Sequence, residues 1–503
     1  MAQVPPKKDS KIVIVGAGVF GLSTTLHLLK RGYTNIHIFD RQPFDINQYD
    51  ETQGADGASC DLNKIIRASY GDEQLYQNLA FKAMPEWERW NKELAATPKS
   101  QLPKSLDPKI PLWHNSGFLR LSKTGLEAKE IQTQQNFPPS IKHTQYRISD
   151  PTHRTKALKT GIPPSKLDPF NRLPRNLPVD GILDTTAGYV LASRACAWAL
   201  HRIQKSGHVT TNFGPDHALQ SLLKTQTRIT GLITTGLERH TADFVVVAAG
   251  GWTPSLIPST QKILETTAGS VLSIKIPRER KDLWERFDAQ RFPVWSWGMG
   301  SYQHHHHNDE NENENIAGLY GLPLTPEGIL KLAFRGAKWT SYNTQQQSIS
   351  SAGKKSFSFS YPQTKNNNNK IPLEAMRVLR TFVRENLPEL LDFDVESLRL
   401  CWYTDSVDNS FLIDYVPGTE GLVVASGGSG HGFKFLPVLG EHVVDVIEGK
   451  ESEYTRLFKW KDVPQGKRNG LEEGPQGWRT LDKQRMVGNV EWREGFDGVK
   501  SRM

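Results

Sequence analysis

Two glycine clusters and a few basic side chains have the types and spacing that chemistry needs. The first cluster, Gly16-Ala17-Gly18-Val19-Phe20-Gly21, follows the apolar run Ile12-Val13-Ile14-Val15. In such a pattern Gly16 permits a tight turn, Gly18 lets backbone approach a pyrophosphate, and Gly21 lets a helix pack closely on a strand. The helix N-terminus then faces the phosphates. Asp40 stands where a carboxylate accepts hydrogen bonds from an adenosine ribose, with Arg41 beside it. The alternative is a glycine turn in an ordinary α/β protein, and G-x-G-x-x-G alone does not decide between them.

The second cluster, Gly427-Gly428-Ser429-Gly430-His431-Gly432-Phe433-Lys434, predicts another strand-to-helix turn with free backbone N–H groups and a positive end. The pyrimidine end of a reduced flavin suits it; so does another anion, or plain capping. Residues 57–67, Gly-Ala-Ser-Cys-Asp-Leu-Asn-Lys-Ile-Ile-Arg, read as a loop passing close to a ligand. Lys64 and Arg67 are three apart and share a side on a helical turn, although taken alone an exposed basic pair is the better reading. His304 to His307 form a row that could bind a metal. Beside Asp309 and a Glu/Asn alternation, a polar surface insertion is the better reading, as it is for Asn366 to Asn369.

The elements that must position these residues follow from periodicity. Ile12 to Val15 predicts a buried strand, Leu22, Leu26 and Leu29 a helix stopped at Gly32, and Ile36 to Phe39 a second strand ending in Asp40. With strand, helix, strand and acid in register, the dinucleotide reading wins. Residues 73 to 95 predict an amphipathic helix with Pro85 as its weak point. Residues 96 to 179, rich in Pro, Lys, Ser and Thr, predict a long loop with one strand near Gly117 to Leu121. Gly188 to Gly207 predicts a helix, and Val209 to Phe213 a strand. Residues 228 to 248 predict a hairpin closing in Val245-Val246-Val247 and then Ala248-Ala249-Gly250-Gly251. In flavoproteins of the glutathione-reductase type, such a strand returns to the nucleotide sheet. Val271 to Gly300 and Ile316 to Phe334 predict strands, Leu373 to Leu390 a helix, and Leu422 to Ala425 a strand. The glycine turn to Lys434 should then open a helix with Pro437 in its first turn.

A chain of 503 residues allows two or three domains. Hydrophobic content is 37%, and no apolar run approaches the ~20 residues of a membrane span. Met1 to Ser10 carry Lys7 and Lys8 without a following apolar signal, so secretion is not expected. Net charge is +8, but basic residues are interleaved with acids and no nucleic-acid motif occurs. The charge reads as a surface that draws in anionic substrates. Cys60, Cys196 and Cys401 form neither a metal-ligand spacing nor a disulfide framework, which points to a reducing compartment and no metal.

The GAGVFG unit, the SCDLNKIIR loop, the CWYTD segment (Cys401 to Asp405) and the SGHGFKF turn, in this order, resemble FAD-dependent amine oxidases of the D-amino-acid-oxidase superfamily. The nearest branch holds monomeric sarcosine oxidase, L-pipecolate and L-saccharopine oxidases, and fructosyl amino acid oxidases, of fungal type. The resemblance spans about residues 10 to 450. It implies a mixed α/β fold with a Rossmann-like FAD-binding domain (10–95, 181–260 and 396–450) interleaved with a mixed-sheet substrate domain (96–180 and 261–395). A C-terminal extension, 451–503, should wrap the surface.

The resemblance further implies FAD joined covalently to Cys401. Cofactor contacts are implied from Gly16, Gly18, Gly21, Asp40, Arg41, Ser59, Gly250, Gly430, Gly432, Phe433 and Lys434. Arg67 and Lys434 would clamp a substrate carboxylate, Lys64 would lie over the flavin ring, and Tyr403 beside the substrate amine. Lys331 would activate oxygen, because a fixed ammonium stabilises the superoxide anion that forms. Cys60 departs from the family pattern and either touches substrate or packs. The implied reaction oxidises the C–N bond of a secondary amino acid of saccharopine, pipecolate or sarcosine type to an imine, reducing oxygen to hydrogen peroxide. Fructosyl amino acids, or an amine of secondary metabolism, come second. An NAD(P)-dependent dehydrogenase would leave Cys401 and the second glycine turn without a task. Small molecules are the expected partners and a monomer the expected state. Ser501-Arg502-Met503 resembles a peroxisomal address.

Overall fold

The computed structural model describes residues 4–123, 125–303, 316–348, 354–363, 369–463 and 473–496. The histidine run, Asn366 to Asn368 and Ser501 to Met503 lie outside them. Two large sheets organise the described chain. The first has six strands in the order Leu412–Tyr415, Leu422–Ser426, Phe244–Val247, Ile12–Val15, Ile36–Asp40 and Val209–Phe213. All neighbours are parallel except the first pair. Ile12 to Val15 are buried on both faces, which is why this strand is a continuous apolar run and not an alternating one. Helices Val19–Lys30 and Leu439–Ile447 cover one face. They cross closely at Gly440, where an added Cβ would lie 1.9 Å from the Ser23 carbonyl oxygen and where Gly440 N donates to Ser23 Oγ at 2.7 Å.

The second sheet has eight strands, in the order Val395–Ser406, Leu264–Lys275, Ile329–Thr340, Leu319–Leu322, Val294–Trp297, Phe118–Ser122, Asp180–Asp184 and Gln145–Arg147. It is antiparallel apart from the pairing of Val294–Trp297 with Phe118–Ser122. Helix Leu373–Asn386 packs on it, stacking Phe382 on Trp295 with ring centroids 4.9 Å apart. The C-terminal segment is anchored here too, with Trp492 fully buried in the same core. The strand Val395–Ser406 matters most for the site, because it edges this sheet while the chain beyond it enters the six-stranded one.

Five local expectations are corrected. The long loop expected over 96–179 carries helices Ala128–Asn136 and Pro151–Lys159 and a further strand, Gln145–Arg147, whose Tyr146 packs in the core of the eight-stranded sheet. Asn63–Ile66 is a strand, not a helical turn; it pairs antiparallel with Gly188–Leu191, a geometry the β-branched Ile65-Ile66 pair favours. Gly188–Leu191 is consequently a strand, and the helix predicted there begins only at Ala192. Helix Gln74–Ala96 runs unbroken through Pro85, held by the buried Trp87 and Trp90 beyond it. The helix after the second glycine cluster starts at Leu439; Phe433–Phe435 is a 3-10 turn, so Pro437 precedes the helix.

Candidate active site

The strand ends of the six-stranded sheet and one face of the eight-stranded sheet enclose a cavity of about 580 Å³. Its cradle is the first glycine cluster. Gly16 has φ +106°, and a Cβ there would lie 2.3 Å from the Ala248 carbonyl oxygen. At Gly21 it would lie 1.8 Å from the Gly16 carbonyl oxygen, so the helix can sit this close only without a side chain. Gly18 caps the 12-residue helix without a side-chain bond, and no acid occupies the first turn, leaving a positive helix end open to the cavity. Asp40 is held by Ala17 N at 2.7 Å and Gln42 N at 2.9 Å. Arg41 lies over Trp252, 4.5 Å from the ring centroid, and both line the cavity. Asn63, fully buried on the wall, has neither amide atom hydrogen-bonded among the described residues. A glycine cradle, an open helix end and an orphaned amide fit a bound flavin dinucleotide.

Two of the cavity's cations share one carboxylate. Lys331 Nζ donates to both oxygens of Asp61 at 2.7 Å and to Asn63 O at 2.9 Å. Lys64 Nζ lies 2.5 Å from Asp61 Oδ2 and 3.6 Å from Cys401 Sγ. Burial alone would raise the Asp61 carboxyl, but Lys331 and Lys64 hold it below the usual carboxylate range. Burial opposes charge on Lys64 as well, and the facing Asp61 overcomes it. For Lys331 burial prevails over Asp61 and lowers its pKa, so it is the more readily deprotonated of the two lysines. Burial pushes the Cys60 thiol well up; at 1% exposed it packs as a neutral side chain.

A second group of cavity cations, Lys434, Arg67 and Arg335, has no carboxylate partner among the described residues. Lys434, 3% exposed, donates to Tyr70 Oη at 2.9 Å and His431 O at 2.8 Å. Helix Gln74–Ala96 fixes it from behind, Trp87 Nε1 donating to Lys434 O at 2.8 Å. His431 Nε2 faces Asn409 O at 3.0 Å, an acceptor only, so Nε2 carries the proton and Nδ1 accepts from Tyr70 Oη at 3.0 Å. Burial, then Lys434, keep this imidazole neutral. Arg67 lies over Tyr70 and donates to Ser69 O. Arg335 donates from Nε to Tyr403 Oη at 2.9 Å and from Nη2 to Ser429 O at 3.0 Å. Burial and the neighbouring Arg67 and Arg335 lower the pKa of Lys434 well below that of an ordinary lysine. Ser429 itself has a left-handed backbone, φ +46°, between Gly427 at +70° and Gly430 at +68°.

Every site residue expected from the sequence lines this one cavity, except Gly21, which sits behind it as the packing glycine, as its pattern predicts. Lys64 and Arg67 converge there because one points inward from the strand and the other lies just past its end. Asp61, Arg335, Tyr70 and His431 were not singled out. Asp61 and His431 stand inside quoted motifs, and Arg335 was legible by strand parity: residues 331 and 335 on strand Ile329–Thr340 share a face.

The family model described as FAD dependent oxidoreductase matches residues 11–446. Among curated relatives, L-saccharopine oxidase of Schizosaccharomyces pombe is 24% identical over 96% of this chain and 95% of its own. Peroxisomal sarcosine oxidase of Homo sapiens is 22% identical over 85% of this chain and 90% of its own. Among solved structures, fructosyl peptide oxidase from E. terrenum shares the fold, with a TM-score of 0.72 at 23% identity over 95% of this chain and 98% of that one. A flavin-sized cradle, the matching fold and a family match over most of its length agree: the chain belongs to the FAD dependent oxidoreductase family.

Proposed function

We propose that the chain is an amine oxidase that converts the C–N bond of a secondary amino acid to an imine and reduces oxygen to hydrogen peroxide. The observation that carries this is one cavity that joins the glycine cradle and Cys401 to a carboxylate-sized cation cluster at Arg67 and Lys434. The names of the curated relatives, a saccharopine oxidase and a sarcosine oxidase, support the substrate class.

When bound, FAD supplies the two-electron chemistry, taking hydride from the substrate carbon and passing electrons to oxygen. Gly16, Gly18 and the helix end they open would hold its pyrophosphate, and Asp40 its ribose. Cys401 would hold it through a thioether; its Sγ lies 3.6 Å from Lys64 Nζ. Arg67 and Lys434 clamp the substrate carboxylate, which fixes the α-carbon against rotation. Tyr403 Oη accepts from Arg335, so its own proton is free to meet the substrate amine. The amine must be neutral to donate electrons, so activity rises with pH until the amine is deprotonated. Lys331 stabilises the anion formed as oxygen takes its first electron, and Asp61 keeps that lysine in place. We assign the protein to the peroxisome on Ser501-Arg502-Met503, since an oxidase releasing peroxide belongs beside catalase; a monomer is proposed with it.

Acid precipitation tests the reading. Flavin colour should stay in the pellet and move to the supernatant in Cys401→Ala. Wild-type flavin in the supernatant removes the covalent bond, and protein that stays colourless after FAD is added removes the oxidase.

A further inference from the structure

We infer that the substrate is an N-substituted dicarboxylic amino acid, its second carboxylate taken by Arg335. The inference rests on the amine oxidase reading and narrows it. Charge within the cavity decides the matter. Lys331 and Lys64 share Asp61, Lys338 faces Asp405 at 3.0 Å, and Arg399 behind the wall pairs with Glu51. Arg67, Arg335 and Lys434 form no ion pair among the described residues, although all three line the cavity and lie close enough for both arginines to depress Lys434.

Lys434 is buried and Arg67 and Arg335 are half-buried; cations drawn out of water without partners are costly, and an anionic ligand removes that cost. One α-carboxylate is fully served by an ammonium and one guanidinium, here Lys434 and Arg67. Arg335 is then left over. Its Nε and one Nη2 proton are committed to Tyr403 Oη and Ser429 O, which fix the plane of the guanidinium. Three N–H donors remain, a fork matched to a carboxylate. The two contacts that orient it are an acceptor hydroxyl and a carbonyl, so neither cancels its charge. Gly430 leaves the guanidinium room: a Cβ there would lie 2.2 Å from Arg335 Nη2. The cofactor would have seats of its own, the Val19–Lys30 helix end for its phosphates and the backbone of the second glycine cluster for its pyrimidine edge, so neither calls for the free fork of Arg335. A sarcosine-like substrate would leave this guanidinium desolvated and unpaired; a diacid would not.

The test compares N-methyl-L-aspartate and N-methyl-L-glutamate with their side-chain amides and with sarcosine, on purified holoenzyme with peroxide detection. The diacids should exceed the amides in kcat/KM by about 100-fold or more, chiefly through KM. Arg335→Gln should collapse that ratio to a few-fold, and Arg335→Lys should keep part of it. Independently of turnover, glutarate should raise the melting temperature of the wild type more than butyrate does, and the difference should vanish in Arg335→Gln. Amides and sarcosine oxidised as well as the diacids, with no difference between glutarate and butyrate, would overturn the inference and leave the amine oxidase standing. No peroxide from any amine would overturn both.

Discussion

Lys331 and Lys64 hold Asp61 between them, whereas Arg67, Arg335 and Lys434, lining the same cavity, have no carboxylate in ion-pairing reach among the described residues. The first group holds one resident carboxylate between its two ammonium groups before anything binds. It suits work on a neutral molecule such as oxygen, where a cation is needed but no anion should be captured. The second group is incomplete by construction, and an anionic ligand finishes it. Within one cavity the difference separates a cation group that already holds a carboxylate from one that holds none.

The sharpest way to break this contrast is Asp61→Asn. It strands two buried ammonium groups and should cost about 3–5 kcal/mol, read from urea unfolding. Lys434→Met removes a cation from a crowd of cations and should cost less than ~1 kcal/mol, since it relieves repulsion that breaking a pair creates. Equal losses would erase the distinction. Next in size, Lys331→Met should slow the oxygen half-reaction by about 10²–10³-fold, as losing one fixed transition-state donor does, while anaerobic reduction by substrate is far less affected. Stopped-flow measurement of both half-reactions separates them; equal slowing would move Lys331 to the binding group.

A smaller effect is set by pH. Burial first, then Arg67, Arg335 and Lys129, lower the pKa of Lys434; Glu73 opposes them, and the facing His431 is neutral. A bound carboxylate restores that pKa, so binding takes up a proton. Affinity for glutarate should therefore be greatest below the lowered pKa. It should weaken by up to about tenfold per pH unit as pH rises through it. Lys434→Arg should flatten the profile, and a flat wild-type profile would mean Lys434 is already charged without ligand. Asp61 behaves oppositely: its pKa is depressed, so its pairing is intact at and above neutral pH and fails only in acid.

Much of this was legible in the chain. The first strand-helix-strand unit reads directly from Ile12 to Asp40, because glycine spacing and apolar periodicity there describe local geometry. The edges of helices did not read as well. Asn63–Ile66 pairs with Gly188–Leu191, residues more than a hundred positions away, so no local pattern could choose strand over helix. The site divided in the same way. Cys401 and Lys434 stand in recognisable motifs and Lys331 follows from the family resemblance; Asp61, inside a quoted motif, and Arg335, on the strand face of Lys331, take their roles from what faces them. A carboxylate's role depends on its counter-charges, and those come from strands distant in sequence.

Ser429 has a consequence for how such a protein can change under selection. A serine in the left-handed region costs about 1 kcal/mol relative to glycine, yet its carbonyl aims Arg335 and its amide ties the turn to Thr404 on the Cys401 strand. Its buried Oγ accepts from Ser406 N at 3.2 Å and donates to Gly427 O at 3.0 Å, so Ser429→Gly trades relief of that strain for two lost hydrogen bonds and should leave the melting temperature within a few degrees of the wild type. A laboratory search for heat resistance alone would therefore gain little at this position, and the turn that aims Arg335 would be kept.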